Sequence, residues 1–125
     1  MGSGISSDKS NNVMDPKLRH QDRFGRLPIH WAAIEGNLEM LNTLIQTYKD
    51  GLVVKDYWGR LPIHYAARRR HTGCLMAIME AYSDGAKVRD EYSGMLPIHY
   101  ALEGNRIECV TLLLETNPEC LFSGL

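Results

Sequence analysis

No stretch of this 125-residue chain approaches the roughly 20 consecutive apolar residues that a helix needs to cross a bilayer, so the chain itself is not expected to span one. Charge of one sign is missing too. With 14 Lys and Arg against 15 Asp and Glu the formal net charge is −1, which confines any electrostatic partner to a local cluster. Cysteine is scarce and odd in number. Cys74, Cys109 and Cys120 lie within helical patterns and no basic, apolar leader precedes them, which fits a reducing, cytoplasmic setting. A Gly-rich phosphate loop, a His-Glu-x-x-His helix and a nucleophile elbow are all absent. The chain is therefore expected not to be an enzyme and to need no cofactor or metal.

At 44% apolar and 23% charged residues the composition suits one globular domain. Residues 1–14 are small and polar without periodicity and read as a flexible tail, with packing expected over 15–125. The tail opens Met1-Gly2-Ser3-Gly4-Ile5-Ser6, which fits the pattern for N-myristoylation of Gly2. An acyl chain there would place the protein peripherally on the cytosolic face of a membrane. A vector-derived start could also read Met-Gly-Ser.

What the chain does have is a repeat. Leu27-Pro28-Ile29-His30-Trp31-Ala32 returns 34 residues later as Leu61-Pro62-Ile63-His64-Tyr65-Ala66, and 35 further on as Leu96-Pro97-Ile98-His99-Tyr100-Ala101. A period in that range signals a stacked solenoid, with units near 22–55, 56–89 and 90–122. Each unit opens with a turn signal ending in Gly25, Gly59 or Gly94, and the third turn carries one extra residue. Proline then suits the first position of a helix, expected near 28–35, 62–69 and 97–103. A second helix follows, marked by Leu38, Leu41, Leu44 and Ile45, then Leu75, Ile78 and Met79, then Ile107, Val110, Leu113 and Leu114. Asp50-Gly51, Asp84-Gly85 and Asn117-Pro118 read as the stops of these helices.

The glycine turn, the Pro-apolar-His-x-Ala helix start, Gly36-Asn37 between helices and the Leu-rich second helix resemble the ankyrin repeat, in three copies over roughly residues 22–122. The resemblance implies an all-α fold, an ankyrin-type helix-loop-helix solenoid with short β-turn loops. It also implies protein binding through loop tips and a concave face. Family members usually carry threonine before the proline, where its hydroxyl caps the helix and meets the histidine. This chain has Leu27, Leu61 and Leu96 instead, so the histidines need other partners. Arg70 in place of glycine, and a glycine shifted to Gly104, predict departures in the turns between helices.

His30, His64 and His99 occupy equivalent places one repeat apart, so they do not converge on a metal or a catalytic centre. Cys74 and Cys109 share one register with Met40 and read as small buried hydrophobes. Phe24, Trp58 and Tyr92 recur before the turn glycines and, flanked by Arg23, Arg26 and Arg60, are the residue types that dominate interface energy. Trp31, Tyr65 and Tyr100 read as core. Arg68-Arg69-Arg70 is the densest basic run and suits a solvated helix end, an acidic protein or anionic lipid; nucleic acid is not expected from one cluster without a reading motif. Leu112 and Cys109 are expected to face outward at the carboxyl-terminal end, covered by Leu121-Phe122, a second copy or a partner. The reading is a non-catalytic binding adaptor or scaffold, anchored if Gly2 is acylated; the alternative is a soluble ankyrin-type enzyme inhibitor or regulatory subunit.

Overall fold

Leu27, Leu61 and Leu96 each sit in extended backbone with ψ near 165°, and the proline that follows each one starts a helix. The structure, a computed structural model, describes residues 20–116. The expected tail over 1–14, Gly2, the packing boundary at 15, and the residues from Asn117 on lie outside that range. Six α-helices fill it in pairs: α1 (Pro28–Glu35) with α2 (Leu38–Thr47), α3 (Pro62–Arg68) with α4 (Thr72–Ala81), and α5 (Pro97–Glu103) with α6 (Ile107–Thr116). No strand occurs among the described residues, and none of their helices is long and apolar enough to cross a membrane.

First helices pack side by side as one layer, α1 on α3 on α5, and second helices form the other, α2 on α4 on α6. The seam between layers is filled by Leu27, Ile29, Leu41, Leu52, Leu61, Ile63, Leu75, Ile78, Ile98 and Leu113, all buried. Ala33 and Ala67 are wholly buried where one first helix meets the next, because a methyl group is all the space between the helices admits. Cys74 and Cys109 are buried likewise, and burial pushes both thiols up.

Three expectations change. The second helices stop at Tyr48 and Tyr82, whose φ near −150° leaves helical geometry, and the Asp-Gly pairs lie beyond, inside short 3₁₀ turns at Lys49–Val53 and Ser83–Lys87. Glycine suits position 51 because the backbone packs closely there: a Cβ would lie 3.0 Å from Ile29 Cγ2. These turns account for the long connection to the next unit.

The turns between helices do not depart from one another either. Gly36, Arg70 and Asn105 all adopt left-handed backbone, with φ of 74°, 64° and 57°. In each case the next residue's N–H returns to a carbonyl five residues back: Asn37 to Ala32, His71 to Ala66, Arg106 to Ala101. The equivalent of Gly36 is thus Asn105, and Gly104, with φ −86°, is an ordinary helix end.

The third correction concerns the carboxyl-terminal end. Cys109 is fully buried and Leu112 lines a hollow with Met76 and Met79 of α4, so both face the preceding repeat. The open end instead presents Leu102, 48% exposed at the register where Ala33 and Ala67 are buried, and Ile107, 71% exposed.

Candidate interaction surface

Each repeat's opening turn is built on an aspartate. Asp22 Oδ1 accepts the N–H groups of Phe24 and Arg26 at 2.9 Å, Asp56 Oδ1 those of Trp58 and Arg60 at 3.0 and 2.9 Å, and Asp90 Oδ1 those of Ser93 and Gly94 at 2.6 and 2.9 Å. Successive turns are joined by backbone bonds, Tyr57 N–H to Phe24 O at 3.1 Å and Glu91 N–H to Trp58 O at 3.2 Å. The turns therefore line up along one edge of the stack.

The second oxygen of each aspartate reaches the aromatic residue after the repeat histidine. Trp31 Nε1 donates to Asp22 Oδ2 at 2.9 Å, and the hydroxyls of Tyr65 and Tyr100 donate to Asp56 and Asp90. An arginine from the preceding repeat completes each of the two later sites. Arg26 donates to the Tyr65 hydroxyl at 3.1 Å and pairs with Asp56 at 3.6 Å; Arg60 donates to the Tyr100 hydroxyl at 2.8 Å and pairs with Asp90 at 3.5 Å. Both aspartate side chains are fully buried. Burial raises the Asp90 carboxyl, but bonds from Tyr100, Ser93 and Gly94 outweigh it and hold the group well below the usual range. Burial, then the neighbouring carboxylate, raises the Tyr65 and Tyr100 phenols. Such a buried pair that loses one member costs on the order of 3–5 kcal/mol, so the ladder locks repeat to repeat.

The histidines form a parallel seam. Nδ1 of His30, His64 and His99 accepts the N–H of Leu27, Leu61 and Leu96 at 2.9–3.0 Å, supplying the bond the missing threonine would have shared. That leaves the proton on Nε2, which meets Arg60 O at 3.2 Å from His30 and Val88 O at 2.9 Å from His64. Burial pushes His30 down and His64 down to about 4, so both rings are neutral at pH 7. His99 Nε2 is buried with no hydrogen-bond partner among the described residues. No group of three or more His, Cys, Asp or Glu close enough to hold a metal occurs among them.

Of the three arginines that flank the aromatics in sequence, Arg23 is exposed and the other two are not. Arg26 and Arg60 turn inward, with side chains 16% exposed. The Arg26 guanidinium lies 5.1–5.2 Å from the ring centres of Phe24, Trp31, Trp58 and Tyr65, and Arg60 sits 5.7 and 5.6 Å from Trp58 and Tyr100. Phe24 and Trp58 stack with centroids 6.0 Å apart. Tyr92 does not extend that column: the inserted Ser93 takes the place before the glycine, and Tyr92 stands 74% exposed. Tyr65 and Tyr100 are buried and Trp31 half-buried.

The outward residues of this edge are Arg23, Phe24, Tyr57 and Tyr92, with Trp58 half-buried. Tyr57, 70% exposed, escapes a reading by periodicity because its equivalents are Arg23 and Glu91. Arg68 and Arg69 lie exposed at the far end of α3, where Arg106 donates from Nε to Arg68 O at 3.1 Å.

A helix pair, an aspartate-built turn and an interlocked edge, repeated three times, define a stacked α-solenoid. The chain belongs to the ankyrin-repeat family: the family model "Ankyrin repeats (3 copies)" matches residues 7–84 and 29–121. No curated protein gives a significant match. Repeats of this family generally mediate protein–protein interaction.

Proposed function

We propose that the chain is a non-catalytic adaptor that binds a partner protein across the turn edge and is brought to a membrane by an acyl chain on Gly2. The observation that carries the binding reading is the exposed aromatic edge: Phe24 stacked on Trp58, flanked by Tyr57 and Tyr92, on turns held by the hydrogen bonds of Asp22, Asp56 and Asp90. Rigid aromatics lose little side-chain entropy on binding and dominate interface energy. Arg26 and Arg60 act beneath this surface as supports, and Arg23 lies beside it, 5.7 Å from the Phe24 ring. The membrane reading rests on the Met1-Gly2-x-x-x-Ser6 pattern.

Affinity capture with the folded chain tests the first part. A Phe24→Ala/Tyr57→Ala/Tyr92→Ala variant with unchanged melting should lose its captured partner at least thirtyfold, about 2 kcal/mol or more; equal capture sinks the proposal. The mass of the native protein tests the second. A myristoyl adduct at Gly2 supports the anchored adaptor, and a free or acetylated terminus turns the reading to a soluble regulator.

A further inference from the structure

The edge opposite the turns carries a different chemistry. Arg68, Arg69 and Arg70 leave the end of α3, and Arg106, bonded to Arg68 O, enters α6 beside them. Arg70 and Asn105 share one hollow with Ile107 and Glu108, and Asn105, Arg106 and Ile107 share a second with Leu102 and Val110. Arg70 and Arg106 thus flank two exposed aliphatic side chains, Ile107 at 71% and Leu102 at 48%, with exposed Arg69 next to Arg70 in the chain, while the Arg68 guanidinium turns back over the Tyr100 ring at 6.0 Å. Glu103 and Glu108 border the patch and leave it formally cationic. The ion pairs among the described residues, Arg26–Asp56, Lys55–Glu91 and Arg60–Asp90, all lie elsewhere.

We propose that this corner docks on an anionic bilayer, the arginines among lipid head groups and Ile107 and Leu102 at the acyl boundary. Charge complementarity names the occupant. Arg69 and Arg70, both exposed, stand with half-buried Arg106 at one corner of the stack, where they can meet a flat anionic surface together, and exposed aliphatics beside them add burial that a purely electrostatic contact lacks. The geometry also leaves the aromatic turn edge, at the other end of α3, facing away from the lipid. The inference stands without the acyl chain but fits it, since one myristoyl group gives only marginal binding and a basic patch is a common second contact. The 18 residues from Gly2 to Arg19 extend at most about 60 Å, beyond the roughly 12 Å along a first helix and the roughly 20 Å across two repeats that separate residue 20 from the corner, so both contacts can reach one surface.

The full-length chain without acylation, floated with phosphatidylcholine vesicles with and without phosphatidylserine, tests the corner separately from Gly2. Binding is expected only with phosphatidylserine and should fall as salt rises. Arg69→Gln and Arg70→Gln should each lower it about fivefold, and Ile107→Asp should lower it too. A Lys49→Gln/Lys87→Gln variant, which removes two positive charges from the 3₁₀ turns, should bind as wild type. Equal flotation with neutral vesicles, no flotation at low salt, or an Arg69→Gln/Arg70→Gln variant that binds like wild type overturns the proposal. So does a dimer, seen by sedimentation and abolished by Ile107→Asp, that vesicles do not dissociate.

Discussion

Position 70 shows at the scale of one residue how the repeat is held against local preference. Its backbone takes the same left-handed turn that Gly36 takes in the first repeat, although an arginine Cβ is disfavoured there. Arg70→Gly is expected to stabilise the fold by about 1 kcal/mol, with Asn105→Gly gaining less because asparagine tolerates this region. Urea denaturation checks it: the midpoint should rise with the slope unchanged, and a lower midpoint would mean that the Arg70 side chain makes a stabilising contact. The same change should weaken vesicle binding, so stability and the proposed lipid contact pull in opposite directions at one site. The sequence locates the oddity, since an arginine stands at a glycine position. It does not reveal that the backbone keeps its course, because whether neighbouring bonds outweigh the strain is settled by the packed turn.

Among elements, the histidine seam ties the first two helix starts to backbone further along the chain, His30 to Arg60 O and His64 to Val88 O, and its dependence on pH follows from burial. In the unfolded chain a histidine titrates near 6.5, whereas buried His64 refuses a proton until about pH 4. Between those values the unfolded state binds more protons, so stability is intact above pH 6.5 and is lost as pH falls toward 4. His64 alone accounts for about 3 kcal/mol of that loss. His30 and His99, also lowered by burial, act in the same direction. Thermal melts from pH 7.5 to about 4.5 should show a flat region and then a steady decline; a melting temperature unchanged across that range would rule out the neutral seam. Helix pairs and their proline starts are legible in the sequence, because periodicity and turn chemistry both mark them. The 3₁₀ turns are not, since five residues carry no period. Nor is the inward course of Arg26 and Arg60 legible: each meets its carboxylate 30 residues along the chain, a distance no local pattern spans.

For the whole molecule, the column Ala33, Ala67, Leu102 records where stacking continues and where the described stack opens. Ala67→Leu is expected to force α3 and α5 apart and cost about 1–3 kcal/mol, while Leu102→Ala should change stability by less than about 0.5 kcal/mol. Calorimetry on the two variants separates a filled interface from an open end, and similar losses in both would show Leu102 to be covered. The sequence marks the third repeat as different through that leucine, yet it misdirects attention to Leu112, because helical register alone does not tell which flank of a helix meets the preceding unit. The arginine–aspartate–tyrosine ladder also makes the three repeats non-interchangeable. Trp31 offers an indole N–H where Tyr65 and Tyr100 offer a hydroxyl, so the first unit keeps the aspartate, Asp22, but lacks the hydroxyl that would accept an arginine from a unit placed before it. Met95 stands where Arg26 and Arg60 stand, so the third has none to give to a unit placed after it. Only the middle repeat carries both halves of the joint, which makes it the one unit whose duplication would lengthen the array without breaking a link.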